Sequence, residues 1–388
     1  MASVRFGVIG LGNMGTYHAK YLNKGEIAGA TLAAVADVKP DRLEWARKEL
    51  TGDVKHFASG AELVESGTVD AILVATPHYD HPTLAAQAFA KGLHVLIEKP
   101  AGVSTGNVRE MNAAAAKSGK VFGIMFNQRT IPAHQKLRDL VQSGELGAVV
   151  RTNWIITNWF RSQAYYNSGG WRATWAGEGG GVLLNQCPHN LDLWQWICGM
   201  PKRVRAFCAF GKYHQIEVED DVTAYVEYEN GATGVFITST GEAPGTNRLE
   251  IICDRGKVVW ENNKILFYRN LIPTAQFCRE TTQGFATPEC WTCEVPFGGD
   301  GSRQHEKIAQ NFTDAVLKGS ALLAPGAEGV NSLELSNAML LSAWTDAWVN
   351  LPTDAKLFEA KLQERIKAST LKKTVKESTT NVAGTFNA

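Results

Sequence analysis

Three glycines spaced as Gly-x-Gly-x-x-Gly constrain the fold of this chain more than any other feature. They are Gly10, Gly12 and Gly15, and they directly follow the apolar segment Val4 to Ile9, which has the pattern of a buried strand. A helical pattern begins at Met14. In such a unit the first glycine permits a tight turn, the second lets the backbone approach a pyrophosphate, and the third allows close helix–strand packing. The sequence therefore predicts a dinucleotide-binding α/β domain.

Further cofactor contacts are predicted beside this turn and at the end of the next strand. The unpaired N–H groups at the start of a helix favour an anion, so Asn13 and Met14 join the glycines as predicted contacts. Thr31 to Ala36 has the pattern of a second strand, and Asp37 follows it. A carboxylate there accepts hydrogen bonds from a ribose 2′-hydroxyl and repels a 2′-phosphate. We therefore expect NAD, and NADP less so, because Lys39 offsets only part of that repulsion.

A lysine at the end of a later strand is the first predicted catalytic residue. The apolar segment Leu93 to Ile97 runs directly into Glu98-Lys99-Pro100. Ligands of an open parallel sheet bind outside the carboxyl ends of its strands, so Lys99 should point towards the cofactor and the substrate, with Glu98 beside the cofactor. An isolated Glu-Lys-Pro sequence is more often a surface lysine that closes a strand. The glycine turn in the same domain favours the catalytic interpretation.

The first 126 residues alternate between strand and helix patterns, which predicts a Rossmann domain with a doubly wound parallel sheet. Another apolar run, Ala71 to Thr76, leads into Pro77 and then His81. Because Thr76 and Pro77 should lie at the sheet edge where a cofactor binds, we predict that they contact it, together with His81. His81 is equally suited to capping the next helix or contacting water.

Residues 127–370 have a different pattern, because long alternating strands follow one another with few helices between them. We predict a helix over Pro132 to Gly144 and strands over Val149 to Thr157, Val222 to Tyr228, Thr233 to Thr240 and Arg248 to Cys253. This pattern is typical of an α+β domain with a large, mostly antiparallel open sheet. Its free face suggests the interface of a homodimer or homotetramer. The lysine- and threonine-rich residues 371–388 form a tail whose end we expect to be mobile or to contact a neighbouring subunit.

Charge and composition exclude several kinds of partner. The 388 residues include 39 basic and 39 acidic side chains, so there is no electrostatic footprint for nucleic acid or an anionic membrane. No stretch of about 18 uncharged apolar residues occurs, and Met1 to Arg5 enter a strand rather than a signal peptide. We expect a cytoplasmic protein that binds a small molecule.

The cysteines predict neither disulfides nor a metal site. Their number, seven, is odd, which argues against a disulfide framework. Cys290 and Cys293 have the spacing of a metal or redox pair, but no second cysteine or histidine pair lies nearby to complete the four ligands of a structural zinc site. We interpret their spacing as coincidental.

A second cluster of informative residues lies between Trp154 and Trp196. This segment contains six of the eleven tryptophans, together with Arg161, Tyr165, Arg172 and a glycine-rich run from Gly177 to Gly181. Flat aromatic faces beside arginine donors suit a polyhydroxylated ring, which offers C–H faces for packing and hydroxyls for hydrogen bonds. The predicted pocket tryptophans are Trp154, Trp159, Trp171 and Trp175, whereas Trp194 and Trp196 should divide between core and surface. The alternative is a tryptophan-rich core without a ligand.

The segment after these glycines contains the predicted acid/base residue. Pro188 favours a helix start, which puts Asn185 before the helix as a substrate-binding amide and His189 in its first turn. His189 is the only histidine in this cluster, and an imidazole with an ordinary pKa near 6.5 suits proton transfer at neutral pH. An isolated histidine is more often structural, but these neighbours favour an acid/base role.

Together these motifs resemble the Gfo/Idh/MocA family, named for glucose–fructose oxidoreductase and inositol dehydrogenase. The similarity spans most of the chain and includes the glycine turn, Asp37, Ala75-Thr76-Pro77, Glu98-Lys99-Pro100, Asn127-Gln128-Arg129 and the glycine-rich segment up to His189. The resemblance implies a two-domain NAD(P)-dependent enzyme, often dimeric or tetrameric, that acts on sugars, cyclitols or related polyols. Lys99 and His189 match the family's catalytic residues. The matching Asn127 and Arg129 imply a substrate contact and a cofactor contact, respectively.

One position departs from the family pattern. Many relatives carry an aspartate four residues before the catalytic histidine, where this chain has Asn185. An amide can hydrogen-bond a substrate but holds no negative charge. A carboxylate that tunes His189 would therefore have to be Asp192 or Glu178.

We expect hydride transfer between a secondary alcohol and nicotinamide, with His189 taking the hydroxyl proton and Lys99 stabilising the same oxygen, or with these roles exchanged. A redox-neutral glycosidase or lyase, which oxidises its substrate transiently and then eliminates a group, uses the same residues and stays open as the alternative. A non-catalytic module that binds NAD or sugar is disfavoured by the presence of both Lys99 and His189.

Overall fold

The first sheet consists of six short parallel strands, which the computed structural model of residues 3–375 shows in full. The strands are β1 (Val4–Ile9), β2 (Ala30–Ala36), β3 (Lys55–Phe57), β4 (Ala71–Val74), β5 (His94–Ile97) and β6 (Phe122–Ile124). The helices are α1 (Asn13–Asn23), α2 (Pro40–Glu49), α3 (Gly60–Glu65), α4 (Asp80–Ala90) and α5 (Thr105–Ser118). The strand order is β3-β2-β1-β4-β5-β6, with every neighbouring pair parallel. The predicted doubly wound Rossmann sheet is confirmed.

The strand order of this sheet reverses between β1 and β4, next to the glycine turn. Chain connections leave in opposite directions on the two sides of such a point, which opens a crevice at the carboxyl ends of the strands. The central strands β1, β4 and β5 are mostly apolar because helices cover both faces of the sheet. Phe6, Val8 and all four residues of β4 are buried.

The second sheet has nine strands and lies in the second half of the chain. Its strands are β7 (Val149–Ile156), β8 (Arg203–Phe210), β9 (Glu219–Glu227), β10 (Thr233–Ser239), β11 (Asn247–Cys253), β12 (Gly256–Glu261), β13 (Lys264–Asn270), β14 (Cys290–Val295) and β15 (Val349–Asn350). The accompanying helices are α6 (Pro132–Gln142), α7 (Gln163–Asn167), α8 (Pro188–Cys198), α9 (Thr274–Glu280), α10 (Gln304–Lys318), α11 (Gly329–Thr345) and α12 (Ala355–Ala368). The order is β14-β13-β12-β11-β7-β10-β9-β8-β15. Only the pair β7 and β10 is parallel in this described sheet, so the mostly antiparallel prediction is confirmed.

Helices α10, α11 and α12 follow the second sheet and were not predicted from the sequence patterns. Helix α10 packs against the first sheet: its residues Ile308 and Phe312 belong to the same buried core as β1. The ring centroid of Phe312 lies 5.9 Å from that of Phe6. The core of the nucleotide-binding fold therefore includes residues from beyond position 300.

The cysteine pair lies on the edge strand β14. Cys290 and Cys293 are three residues apart in a strand, so their side chains point to opposite faces and cannot share a ligand. All seven cysteines are free thiols. Within residues 3–375, no three metal-binding side chains cluster together, and no helix is long and apolar enough to cross a bilayer.

The described part of the C-terminal tail lies against the second domain. Lys373 Nζ donates hydrogen bonds to the carbonyl oxygens of Gly169 (2.8 Å) and Arg172 (2.5 Å). These carbonyls belong to the loop that carries Trp171, a predicted substrate contact. Positions 376–388, and with them the prediction for the end of the tail, lie outside the described residues.

Candidate active site

The glycine turn has the backbone geometry that dinucleotide binding requires. Gly10 has a φ of +89°, and a Cβ there would lie 2.7 Å from the carbonyl oxygen of Ala75. At Gly15 a Cβ would lie 1.7 Å from the carbonyl oxygen of Gly10. Around Gly12, by contrast, a Cβ would meet nothing within 4 Å. The first and third glycines are therefore required by packing, whereas the second leaves the open space that a pyrophosphate needs at the start of α1.

Asp37 lies at the end of β2, directly beside this turn. Its carboxylate accepts hydrogen bonds from the backbone N–H groups of Leu11 (2.6 Å) and Lys39 (2.8 Å). Two of the predicted site residues, Thr76 and Asn127, each have a buried side-chain oxygen without a hydrogen-bond partner in the protein: Thr76 Oγ1 and Asn127 Oδ1. Buried polar atoms rarely stay unpaired, so these two oxygens fit a site that a dinucleotide or its substrate completes.

Lys99 follows β5 and connects the two domains. Its Nζ donates a hydrogen bond of 2.8 Å to the backbone oxygen of Asn185. Burial lowers the pKa of the Lys99 ammonium below its usual 10.5, although the carboxylates of Glu98 and Glu178 oppose that shift. The lysine therefore lies at the junction of the two domains, with carboxylates close enough to influence its protonation.

Glu98 lies directly before Lys99 and is bonded to His18 of helix α1. Its Oε1 lies 2.6 Å from Nε2 of His18, and its Oε2 accepts the backbone N–H of Lys99 at 3.2 Å. Burial would raise the pKa of Glu98, but the hydrogen bond and charge of His18, with the charges of His305 and Lys99, lower it to about 2. Glu98 is therefore a carboxylate at neutral pH, held between helix α1 and the lysine.

His189 occupies the first turn of α8, as predicted from Pro188. Burial lowers the pKa of His189 well below 6.5, and the charge of Lys99 lowers it further. Its Nδ1 is buried without a partner, and its ring lies 6.4 Å from that of Phe126. His189 is therefore a neutral imidazole with an unused ring nitrogen, near the lysine from the other domain.

Asn185 connects the predicted site residues. Its amide Oδ1 accepts hydrogen bonds from the hydroxyl of Tyr165 and from Nε2 of Gln186, both at 3.0 Å. Its Nδ2 donates to Oε1 of Glu178. Glu178 also accepts the backbone N–H of Ala173 at 2.5 Å, and burial raises its pKa. Asn185 bonds Glu178 through its side chain and Lys99 through its backbone oxygen. Glu178 is therefore a buried acid within this group of hydrogen-bonded residues.

Asp192 and Arg129 form a structural pair outside the cleft. Arg129 is 1 % exposed, and two of its nitrogens donate to Asp192 at 2.6 and 2.8 Å. A third donates to Glu328 at 2.6 Å and to the carbonyl oxygen of Leu323 at 3.1 Å. The guanidinium joins α8 to the segment before α11, and the predicted contact of Arg129 with the cofactor stays a prediction. The same pairing engages both oxygens of Asp192.

His81 is fully buried and braces two loops of the Rossmann domain. Its Nδ1 lies 2.8 Å from the carbonyl oxygen of Pro100, and its Nε2 lies 2.9 Å from that of Thr76. These contacts connect the loops that follow β4 and β5. A direct contact of His81 with the cofactor stays a prediction.

Most of the tryptophans between positions 154 and 196 pack into the second core. Trp154 and Trp175 are buried in this core, and their place in a substrate pocket stays a prediction. Trp194 is buried and Trp196 is partly exposed, as expected. Trp159 is buried, with its indole N–H donated to Asn190 at 3.0 Å, and its direct contact with substrate stays a prediction.

The partly exposed side chains of this segment gather around Tyr165. The guanidinium carbons of Arg161 and Arg172 lie 5.2 Å and 4.7 Å from the centre of the Tyr165 ring. Trp171 packs beside Arg172 and lies 5.8 Å from the ring of His78. The structure thus brings Tyr165, Trp171 and both arginines to one wall of the cleft, which Asn185 joins to Lys99.

The sequence analysis did not identify Glu219 as part of this centre. This fully buried residue on β9 accepts the backbone N–H groups of Gly181 (2.8 Å) and Leu183 (3.0 Å). It therefore holds the glycine-rich segment that leads to His189. No local sequence pattern predicts this role of Glu219, because the backbone N–H groups that it accepts lie nearly forty positions earlier in the chain. Gln304 of α10, which accepts a hydrogen bond of 2.7 Å from Asn127, was missed for the same reason.

The wild-type protein is expected to lose folding stability as the pH rises from 5 to 8, and replacing Glu219 by glutamine should abolish this pH dependence. Burial raises the pKa of Glu219 from 4.5 to about 7, so the folded protein keeps a proton that the unfolded chain releases. That contribution is complete below pH 4.5 and is lost as the pH rises through 7. From pH 5 to pH 8 the free energy of unfolding of the wild-type protein should fall by roughly 2–3 kcal/mol more than that of Glu219→Gln. Urea unfolding measures this, and parallel pH dependences of the two proteins would contradict it.

A cation and a neutral base that flank the end of a dinucleotide crevice are the groups that nicotinamide-dependent oxidoreductases use. Comparison with known proteins identifies the family. Residues 4–126 match the oxidoreductase family with an NAD-binding Rossmann fold, and residues 134–259 match the Gfo/Idh/MocA C-terminal domain. The chain belongs to the Gfo/Idh/MocA family. The predicted enzyme class, an NAD-dependent oxidoreductase, is confirmed with it.

Individual relatives agree with this assignment. The chain is 31% identical over 268 residues to the myo-inositol 2-dehydrogenase of Thermotoga maritima, covering 67% of this chain and 75% of the relative. It is 30% identical over 200 residues to the rhizopine catabolism protein MocA of Rhizobium meliloti, covering 51% of this chain and 58% of that protein. This chain therefore spans little more than half of MocA. The WlbA dehydrogenase of Chromobacterium violaceum, solved with NADH and UDP-GlcNAcA, has 27% identity, a TM-score of 0.77 and coverage of 91% and 97%.

Proposed function

We propose that this protein transfers hydride between NAD and a secondary alcohol of a sugar, cyclitol or related polyol. The proposal rests on one observation: Lys99 Nζ donates to the backbone oxygen of Asn185, four residues before His189. This contact brings a lysine of the nucleotide-binding domain to the histidine segment of the second domain. The named activity of the inositol dehydrogenase relative supports the substrate class.

The two residues have complementary roles at the reacting alcohol. Bound NAD supplies the hydride acceptor. His189 is neutral because burial lowers its pKa, so it accepts the hydroxyl proton. Lys99 in its ammonium form donates a hydrogen bond to the same oxygen as negative charge develops there, a contribution of about 3 kcal/mol for one donor. Lys99 also has a lowered pKa, so the two roles can be exchanged without moving either group.

Asp37 is proposed to select NAD over NADP. Changing Asp37 to asparagine keeps an acceptor for the Leu11 N–H but removes the charge that repels a 2′-phosphate. The ratio of kcat/KM with NAD+ to that with NADP+ should fall at least about tenfold, which corresponds to about 1.4 kcal/mol. Steady-state kinetics with each cofactor measure this ratio. Asp41→Asn, at an exposed position on α2, is the control and should leave the ratio unchanged.

The proposed activity is tested by incubating the enzyme with hexoses, inositols, sugar acids and glycosides, with NAD+ and NADP+ separately. We expect absorbance from NADH to accumulate with at least one polyol. Turnover of a glycoside without net NADH would instead favour the redox-neutral elimination, for which neither the structure nor the named relatives provide specific support. Absence of turnover with every compound, despite binding of NADH, would contradict an enzyme of this substrate class.

We infer a homodimer or homotetramer with a cytoplasmic location. The outer face of the second sheet carries exposed aromatic side chains, with Phe207 63 % and Tyr225 39 % exposed, which supports burial against another subunit. Seven unpaired thiols are typical of a reducing compartment. Sedimentation equilibrium tests the assembly, and a monomer at micromolar concentration would contradict it.

A further inference from the structure

Two arginines in the cleft form no ion pair with an acidic side chain of the described residues, although the charge of Arg172 opposes the rise in the pKa of Glu178 that burial causes. Arg161 Nη1 donates to the carbonyl oxygen of Phe160 at 2.9 Å, and Arg172 Nη1 donates to the hydroxyl of Tyr165 at 3.0 Å. Within residues 3–375 neither guanidinium forms an ion pair. By contrast, the buried Arg129 is matched by two carboxylates. Most of the donors of Arg161 and Arg172 are therefore available to a ligand.

The arginines lie beside the proposed reaction centre. They flank the ring of Tyr165, whose hydroxyl donates to the side chain of Asn185. The backbone oxygen of Asn185 accepts the bond from Lys99. The positive charges of both arginines contribute to the lowered pKa of Lys99, which places all three cations within the range of direct electrostatic interaction.

The loop that carries Arg172 is held in place by the C-terminal tail. Lys373 Nζ bonds the carbonyl oxygens of Gly169 and Arg172, the residues on either side of Trp171. The ammonium of Lys373 is a further positive charge near the same wall. Its hydrogen bonds go to backbone carbonyl oxygens, which carry no compensating negative charge. Arg172 is therefore presented by a fixed loop, which lowers the entropy cost of binding a ligand there.

The charges around the cleft do not balance. Lys99, Arg161 and Arg172 carry three positive charges at this wall. Glu178 is the nearby acid that is free of a cationic hydrogen-bond partner in the described chain, whereas Glu98 is paired with His18. Partly desolvated cations are costly unless an anion compensates them. A guanidinium also matches the planar oxygens of a carboxylate or a phosphate better than it matches a single hydroxyl.

We propose that the substrate carries a fixed negative charge, a carboxylate or a phosphate on the sugar or cyclitol, which Arg161 and Arg172 bind while Lys99 and His189 act on a hydroxyl. This inference rests on the proposed function and narrows its substrate class. A neutral polyol offers hydroxyls to the two guanidinium groups but no charge that compensates them. The anion also orients the ring, because two fixed donors on one side determine which hydroxyl reaches Lys99.

The test compares neutral and charged members of matched pairs on the NADH-bound enzyme. The pairs are glucose with glucuronate, glucose with glucose 6-phosphate, and myo-inositol with myo-inositol 1-phosphate. Calorimetry gives the dissociation constants, and NAD+ reduction gives kcat/KM. In at least one pair the charged member should bind at least about tenfold more tightly, and added salt should weaken it selectively. The pairs also distinguish carboxylate from phosphate.

Variants separate this inference from general damage to the site. Arg161→Gln and Arg172→Gln should each weaken binding of the charged ligand at least about tenfold more than binding of its neutral counterpart. Arg161→Lys should fall between wild type and Arg161→Gln, because it keeps the charge without the planar fork. Arg279→Gln, on the exposed surface of α9, is the matched control. Thermal unfolding confirms that each variant is folded.

The outcomes distinguish the inference from the proposed function. If in no pair the charged member binds more tightly, or if the glutamine variants weaken both members equally, the inference is wrong even when a neutral polyol reduces NAD+. If the charged member binds selectively and depends on both arginines but no compound yields NADH, the inference holds and the proposed dehydrogenase activity fails.

Discussion

Changing Lys99 to methionine is expected to lower kcat at least about a hundredfold, with little effect on the dissociation constant of NADH. Methionine keeps the length and apolar stem of the side chain but removes the ammonium. The oxygen of the reacting alcohol then develops negative charge without a donor. Stopped-flow or steady-state measurement of NADH formation gives kcat, and fluorescence titration gives NADH affinity.

The lysine also joins the two domains, so the variant needs a control for structure. Lys99 Nζ bonds the backbone oxygen of Asn185, and loss of this contact alone could shift the histidine segment. Lys99→Arg keeps a cation and a donor, and partial activity in this variant would show that charge at this position matters. Lys24→Met, at an exposed position after α1, should behave as wild type. Full activity of Lys99→Met would reject the catalytic assignment.

Changing His189 to asparagine should also lower kcat/KM at least about a hundredfold, because an amide cannot accept the proton of the alcohol. The pH dependence of the wild-type enzyme provides a separate signature. The pKa of His189 is lowered well below 6.5, so the base stays neutral and activity should persist as the pH falls through 6.5. Activity should be lost only at lower pH, where the imidazole gains a proton. On the alkaline side, loss of the Lys99 proton should begin below pH 10.5.

A double variant tests whether the two residues act on one oxygen. If Lys99 and His189 act together, removing both should cost little more than removing one, because each depends on the other. Independent roles would make the two losses multiply. An ordinary acid limb near pH 6.5 in the wild-type profile would contradict the neutral histidine on which the second role rests.

The sequence predicted the Rossmann domain well because its signals are local. The strand before Gly10, the three glycines and Asp37 are close together in the chain, and each has a backbone or charge requirement that the structure shows directly. Lys99 was predictable because its position at the end of β5 follows from the rule for parallel sheets. Pro188 likewise fixed the start of α8 and the place of His189.

The parts that sequence reasoning missed depend on contacts between distant segments. Arg129 was predicted to contact the cofactor, and its partners Asp192 and Glu328 were not foreseen. His81 looked free to reach the cofactor but is held by two backbone carbonyls. Glu219 acts through the backbone N–H groups of the glycine-rich segment, which no side-chain pattern records. In each case the deciding partner is distant in the sequence and becomes a neighbour only when the domain folds.

The departure from the family at Asn185 is also resolved only in three dimensions. Asn185 cannot hold a charge, but it connects Glu178 to the Lys99 contact and to Tyr165. The carboxylate whose charge opposes the lowered pKa of His189 is Glu98, which was not one of the two candidates from the sequence, Asp192 and Glu178.

The most direct test of this account is an experimental structure of the enzyme with NADH and an oxidisable polyol or sugar acid bound. The account predicts that Nζ of Lys99 and one ring nitrogen of His189 both lie within hydrogen-bond distance, about 3 Å, of the same substrate oxygen, with the carbon that bears it facing the nicotinamide ring. A complex in which those two nitrogens contact different groups, or face separate cavities, would contradict it.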